Sequence, residues 1–391
     1  MPPIIFRKGL DLKHEVADVL AASYHSALVA SIKADDYRFH AGRITIHLAK
    51  EFGFCYGVDR AVDYAYQARK RFPDRQVHLT GEIIHNPHVN SELRAQGIHF
   101  LSDPGTSLDA LTSEDVVILP AFGITIEQLQ DLEARGCTLV DTTCGSVLNV
   151  WKNVRRYADE GFTSIIHGKY KHEETQATAS QALRHGRGHF LVVLNRAEAL
   201  IVCDYIRHGG DRQTLLGAFE HATSPGFDPD LHLQRVGCAN QTTMLSSESL
   251  EIGNLFRDAM RDRYGEAALP SCFRAFDTIC SATQDRQDAI LSLLDQQRMD
   301  LMIVIGGYNS SNTQNLARIT ASRLPTFHIA EPECLRSATL IAHRPIGQST
   351  ETTTSDWLPA GEVSIGLTSG ASTPDNIVEQ VIRRLESFSN S

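Results

Sequence analysis

The sequence predicts an α/β fold built on parallel sheets. Three observations carry this: short apolar runs of strand length, amphipathic runs at helical spacing between them, and short links joining the two. The runs Val116–Pro120 (VVILP), Thr138–Thr143 (TLVDTT), Thr163–His167 (TSIIH), Leu301–Gly306 (LMIVIG) and Val363–Leu367 (VSIGL) read as buried strands. Val58, Ala61, Val62, Ala65 and Ala68 form one apolar helical stripe; Ile377, Val378, Val381, Ile382 and Leu385 form another. Thr373-Pro374-Asp375 starts the latter, with proline expected in the first turn. Residues 12–32 alternate charged and apolar side chains without glycine, which predicts a helical N-terminal extension over 1–45. Asp204–Gly237, rich in Gly, Asp, His and Pro, reads as an irregular insertion.

Composition narrows the function classes. The 391 residues suffice for two or three domains, and the apolar content of 42% supports real cores. A formal net charge of -10 argues against a non-specific nucleic-acid binder. An anionic substrate must therefore be held by local groups. No run of eighteen apolar residues occurs, and Met1–Leu10 lacks a signal-peptide core, so the expectation is a soluble, cytoplasmic chain. The cysteines are Cys55, Cys137, Cys144, Cys203, Cys238, Cys272, Cys280 and Cys334, with no CxxC pair. In a large chain of a reducing compartment they read as thiols, ligands or nucleophiles rather than disulfides.

Cys55 (FGFCYGVDRAV), Cys144 (VDTTCGSVLNVW) and Cys280 (FDTICSATQDRQDAI) share one setting. Each follows a strand-like run and precedes a helix-like run. A helix N-terminus carries partial positive charge and free amides, which favour the metal-binding thiolate. The last two also share Asp-Thr-x-Cys, a hint of related units. One such cysteine alone would be a packing residue; three in matching settings point to a shared centre. Cys137, Cys203, Cys238, Cys272 and Cys334 lack the setting and read as packing. A closed zinc site takes four ligands, and a complete iron–sulfur ligand set is usually four cysteines. Three leave a metal position open to substrate.

Other stretches read as ligand loops. Gly81–Asn86 (GEIIHN) presents His85, and Lys171-His172-Glu173-Glu174 follows the strand ending near His167. A histidine beside a carboxylic acid past a strand end suits proton delivery, with Glu174 as acid and Glu173 as its competitor. Asn240-Gln241-Thr242-Thr243 packs four hydrogen-bonding side chains together. Asn309-Ser310-Ser311-Asn312 and Ser369-Gly370-Ala371-Ser372 each follow a strand and open a helix. Either turn alone is ordinary capping. The pair, with His85 and His172, suits an anion such as a phosphate.

The ordered motifs GFCYGVDRA, EIIHNPHV, PAFG, DTTC, HGKYKHEET, NQTT, DTICSATQDRQ, NSSNT and TSGASTPD resemble the LytB/IspH family of 4-hydroxy-3-methylbut-2-enyl diphosphate (HMBPP) reductases. The resemblance runs from the neighbourhood of Val58 to the C-terminus. It implies three α/β units in pseudo-threefold arrangement around a central [4Fe–4S] cluster. Expected units are 46–145, 146–275 and 276–391, after the extension 1–45. It implies two-electron reductive dehydroxylation of an allylic diphosphate to isopentenyl and dimethylallyl diphosphates, the last step of the methylerythritol phosphate pathway. Matched residue by residue, Cys55, Cys144 and Cys280 fall on the cluster ligands and Glu174 on the proton-delivering glutamate. His85 and His172 fall on substrate-binding histidines, and Thr242 on the threonine near the reacting end. Ser310, Ser311, Asn312 and Ser372 fall on the diphosphate-binding set. An electron-donor protein such as ferredoxin or flavodoxin is implied as partner. Two positions depart from the common bacterial pattern: Phe122 stands for a histidine, and Gly145 for the proline after the second cluster cysteine. Phe122 and the N-terminal extension look like the plant and cyanobacterial branch. The rival readings are a zinc hydrolase on three cysteines and an iron–sulfur redox sensor. A sensor needs neither Glu174 nor the diphosphate turns.

Overall fold

The computed structural model describes residues 4–186, 188–276 and 278–389. The chain forms two compact units. One, the mid-chain unit, comprises Met1–Ile5 and Gly105–Cys280; the other, the terminal unit, comprises Phe6–Pro104 and Ser281–Ser391.

In the mid-chain unit the strands Val116–Leu119 and Thr138–Asp141 pair in parallel. Thr163–His167 pairs in parallel with Phe190–Val193 on one side and Val236–Asn240 on the other, and the latter pairs with Phe273–Ala275. Every residue of Val116–Leu119, Thr163–His167 and Val236–Asn240 is buried. That is why these strands read as apolar runs without alternation. The helices Gly145–Asp159, Arg196–His208 and Ser246–Tyr264 bury Tyr157, Val202 and Phe256 among them.

The terminal unit carries a five-stranded sheet in the order Thr326–Ile329, Leu301–Ile305, Val363–Ser369, Ile44–Leu48, Arg38–Ala41. The first four strands are parallel and the last is antiparallel. Both predicted stripes are buried: Val58, Ala61, Val62, Ala65 and Ala68 on the helix Tyr56–Arg71, and Ile377 to Leu385 on the helix Asp375–Ser387. Pro374 is the N-cap of that last helix, one position earlier than the sequence suggested. Its fixed φ and missing N–H cost nothing at a helix start.

The N-terminal segment is helical over Lys13–Tyr24 and Ala27–Ala34. The break falls at Ser26, whose Oγ accepts the Val29 N–H at 2.9 Å as a new cap. The following strand Arg38–Ala41 edges the sheet. Tyr24 bonds Tyr66 at 3.0 Å and Ser26 bonds Glu379 at 2.7 Å, which fixes the segment to two helices of the same unit. The stretch Asp204–Gly237 is more ordered than its composition suggested. It holds the end of Arg196–His208 and the short helices Arg212–Ala218 and Pro229–His232. Two of its four aspartates are caps: Asp211 accepts from Gln213 and Thr214, and Asp228 from Asp230. Among the described residues, no helix is long and apolar enough to cross a membrane.

Candidate active site

One backbone device recurs at Cys55, Cys144 and Cys280. Cys144 is the extended N-cap (φ -64°, ψ 143°) of Gly145–Asp159. Its N–H donates to the carbonyl of Ala121 at 2.8 Å, two residues past the end of the strand Val116–Leu119. Thr142 fixes the approach by donating its hydroxyl to the Leu119 carbonyl at 2.6 Å. Before Cys280, the Thr278 hydroxyl accepts the Asn240 N–H at 2.7 Å. The Cys280 N–H then donates to the Thr242 carbonyl at 3.3 Å, again two residues past a strand end. In the terminal unit Cys55 is the extended N-cap (φ -84°, ψ 163°) of Tyr56–Arg71. Its N–H donates to the Ala371 carbonyl at 3.1 Å, two residues past Val363–Ser369. Gly53 stands where the others have threonine, and Ser369 Oγ accepts the Gly53 N–H at 3.0 Å. The hint carried by Asp-Thr-x-Cys is therefore a shared hydrogen-bond pattern that the cysteine at position 55 also obeys.

The pattern sets the thiols apart from the other cysteines. Cys55, Cys144 and Cys280 are half-buried, whereas the remaining five are buried. Neither Cys55 nor Cys144 uses its side chain as a helix cap. Burial pushes the Cys203 thiol up to about 12 and also raises Cys137, Cys238 and Cys272. Those groups resist becoming thiolates, the form that binds metal.

The mid-chain unit also gathers a buried carboxyl, a histidine and an aromatic ring. Glu174, 3% exposed, opens the helix Glu173–Ala182, and its Oε1 accepts the Thr242 N–H at 2.6 Å. The carbonyl of the same residue, Thr242, accepts the Cys280 N–H. His172 is the N-cap; its Nδ1 accepts the Glu174 N–H at 3.2 Å. That bond fixes the proton of the neutral ring on Nε2. Phe122 meets the His172 ring edge to face, centroids 6.1 Å apart. Glu173 differs from Glu174: its side chain is 56% exposed and its carboxylate lies 3.9 Å from His172, beyond hydrogen-bond reach. Gln241, read from the sequence only as one of four hydrogen-bonding side chains, is a tether. Its Oε1 accepts from the Lys169 N–H and the Thr175 hydroxyl, both at 3.1 Å, and its Nε2 donates to Thr243 at 2.9 Å. The loop carrying His172 is thereby locked to the turn carrying Thr242.

The terminal unit gathers His85, Ser310, Ser311, Asn312 and Ser372. His85 Nδ1 lies 2.8 Å from Glu82 Oε2, which also accepts from Asn309 Nδ2 at 3.2 Å. Nδ1–H is thus directed at a carboxylate, and Nε2 is the other ring nitrogen. Glu82, three residues before His85, is the partner that GEIIHN already contained. Asn86 caps the helix Pro87–Ala95 and donates through Nδ2 to the Ser372 carbonyl at 2.7 Å. A Cβ on Gly307 would lie 2.5 Å from the His85 carbonyl oxygen, so only glycine permits this approach. Ser310 caps its helix by accepting the Thr313 N–H at 3.3 Å. Asn312 Oδ1 accepts the Ala371 N–H at 3.0 Å, while the Ala371 carbonyl holds Cys55. One residue, Ala371, therefore links the serine–asparagine turn to the cysteine.

Residues 46–386 match the family described as LytB protein. The chain belongs to the LytB family. Its similarity to a 4-hydroxy-3-methylbut-2-enyl diphosphate reductase of Gloeobacter violaceus is 51% identity over 387 residues, covering 97% of this chain and 91% of the relative. A protein of the same name from Synechococcus sp. WH7803 is 50% identical, covering 98% and 95% of the two chains. Among solved structures, one described as (E)-4-hydroxy-3-methyl-but-2-enyl diphosphate reductase, the terminal enzyme of the non-mevalonate pathway, matches at TM-score 0.53 and 28% identity. It spans 88% of this chain and 99% of that one. The Plasmodium falciparum reductase, at TM-score 0.61 and 21% identity, supports the fold. In this LytB chain the α/β architecture with parallel sheets, expected from sequence, is present.

Proposed function

We propose that the chain catalyses reductive dehydroxylation of HMBPP to isopentenyl and dimethylallyl diphosphates. The proposal is carried by the hydrogen-bond bracket common to Cys55, Cys144 and Cys280 in a LytB chain. We assign these cysteines as ligands of a [4Fe–4S] cluster. The donor set fits: three half-buried thiols at helix starts, whose soft sulfur suits iron–sulfur chemistry. When bound, the cluster supplies electrons and, at its open iron, a Lewis acid.

The chain's own residues supply position and protons. Glu174 holds the transferable proton, and the Thr242 N–H fixes its carboxyl. His172 offers Nε2–H, its tautomer set by the Glu174 N–H. His85, its Nδ1 steadied by Glu82, contributes to binding the diphosphate. Ser310, Ser311, Asn312 and Ser372 bind the diphosphate and so orient the carbon chain. Phe122 contributes apolar contact in place of a donor. The electron source is an external donor protein of the ferredoxin or flavodoxin class, and the compartment is the cytoplasm. Anaerobic turnover of HMBPP with an artificial reductant tests the activity. Formation of both diphosphate products is expected; a folded, iron-loaded protein that leaves HMBPP unchanged contradicts it.

A further inference from the structure

We infer that Arg286 is a positioning residue for the Cys55 loop and the built-in counter-charge of the iron–sulfur group; this rests on the cluster proposed above. Arg286 lies on the helix Ser281–Gln296, in the motif DTICSATQDRQ that contains Cys280. It is 4% exposed. Its Nη2 donates to the Gly53 carbonyl at 2.7 Å and its Nη1 to the Ala282 carbonyl at 2.8 Å. Nε is buried without a hydrogen-bond partner, and among the described residues Arg286 makes no ion pair. Asp375 packs against Gly53 but is engaged by Lys33 at 3.0 Å.

A buried guanidinium that meets only carbonyl oxygens is expensive, because their partial charges do not replace lost hydration. Such a cation persists where an anion completes it. The position of Arg286 says which anion. It grips the carbonyl two residues before Cys55, on a glycine with φ +83° whose N–H is held by Ser369. Gly53 is thus clamped at both ends of its peptide framework, and Cys55 is clamped at Ala371. A cluster ligated by thiolates is anionic when oxidised and more so when reduced. A nearby fixed cation therefore favours the reduced form and raises the potential, since net charge and hydrogen bonding tune such clusters. The same cation holds the loop whose thiol is a ligand.

The test compares anaerobically purified wild type, Arg286→Lys and Arg286→Met. Three quantities are read: the midpoint potential by EPR-monitored titration, the rate of iron loss to a chelator, and the Tm of the iron-free chain. Arg286→Met should lower the potential by at least a tenfold change in the redox equilibrium, about 59 mV for one electron, and release iron faster. Arg286→Lys should stay near the wild-type potential, because it keeps the charge, yet release iron faster, because one ammonium replaces a two-pronged clamp. Unchanged potential and iron loss in Arg286→Met overturn the inference, whatever happens to Tm. If Arg286→Met does not accumulate folded, wild-type iron retention in Arg286→Lys overturns it. A wild type that holds no EPR-active cluster overturns the proposed function instead, so the two failures are distinct.

Discussion

The mid-chain and terminal units present their cysteines through the same bracket and surround them with different side chains. Around Cys144 and Cys280 stand a buried carboxyl, a histidine of fixed tautomer and an aromatic edge. Around Cys55 stand hydroxyls, amides and a histidine backed by a carboxylate. One strand-to-helix device thus carries different neighbours in the two units; in the proposed function one set serves protons and the other phosphate oxygens. The cysteine geometry belongs to the backbone, and the division of labour belongs to the neighbouring residues.

The largest effect that would break this comparison is at the cysteines. Cys55→Ala, Cys144→Ala and Cys280→Ala should each lose essentially all turnover, while Cys203→Ala, at a buried packing thiol, should lose stability only. Near-wild-type turnover in any of the first three removes that cysteine from the set.

Glu174→Gln sharpens the proton side. It keeps an acceptor for the Thr242 N–H but no transferable proton, so kcat should fall ~10²–10⁴-fold with KM little changed. Glu173→Gln, at an exposed side chain, should cost far less. Equal losses would undo the distinction that burial draws between the two acids.

A pH effect on stability belongs to the terminal unit. Burial holds His328 at about 4, and its Nε2 bonds the Gly306 carbonyl at 2.9 Å, at the end of the strand leading to Ser310. Nearby Arg344 and His343 lower it further, while the Gly306 bond opposes them. The unfolded chain binds the extra proton first, so the contribution is complete above the unfolded value. It fades as pH falls toward about 4. The loss amounts to roughly 3 kcal/mol at most. His328→Gln should flatten Tm against pH across that window; a slope identical to wild type would contradict the assignment.

The smallest expected effect is at His85. His85→Ala should weaken diphosphate binding about tenfold or more, through a lost bond to a charged group worth roughly 1.5–3 kcal/mol. Phe122→Ala should act through packing and leave that affinity nearly intact. Unchanged affinity with lowered Tm in His85→Ala would make His85 a structural residue.

What the sequence made legible follows from periodicity and motif order. The buried strands and the two helical stripes were readable because apolar spacing reports burial directly. The cysteine settings were readable because strand, thiol and helix are adjacent in the chain. Gln241 and Arg286 were not readable as tethers, because their partners Lys169, Thr175 and Gly53 are distant in sequence and carry no spacing signal. The order within 204–237 was not legible because Asp211 and Asp228, residue types typical of loops, serve there as helix caps. Glu82 was within reach, since it sits three residues from His85.

Metal analysis of the anaerobically purified chain tests the central claim most directly, with Cys144→Ala and Cys203→Ala run alongside. The account predicts about four iron and four sulfide per chain in wild type and in Cys203→Ala, with the visible absorbance of an iron–sulfur protein. Cys144→Ala should retain little of either. A colourless wild type carrying zinc, or a full cluster surviving in Cys144→Ala, would contradict it.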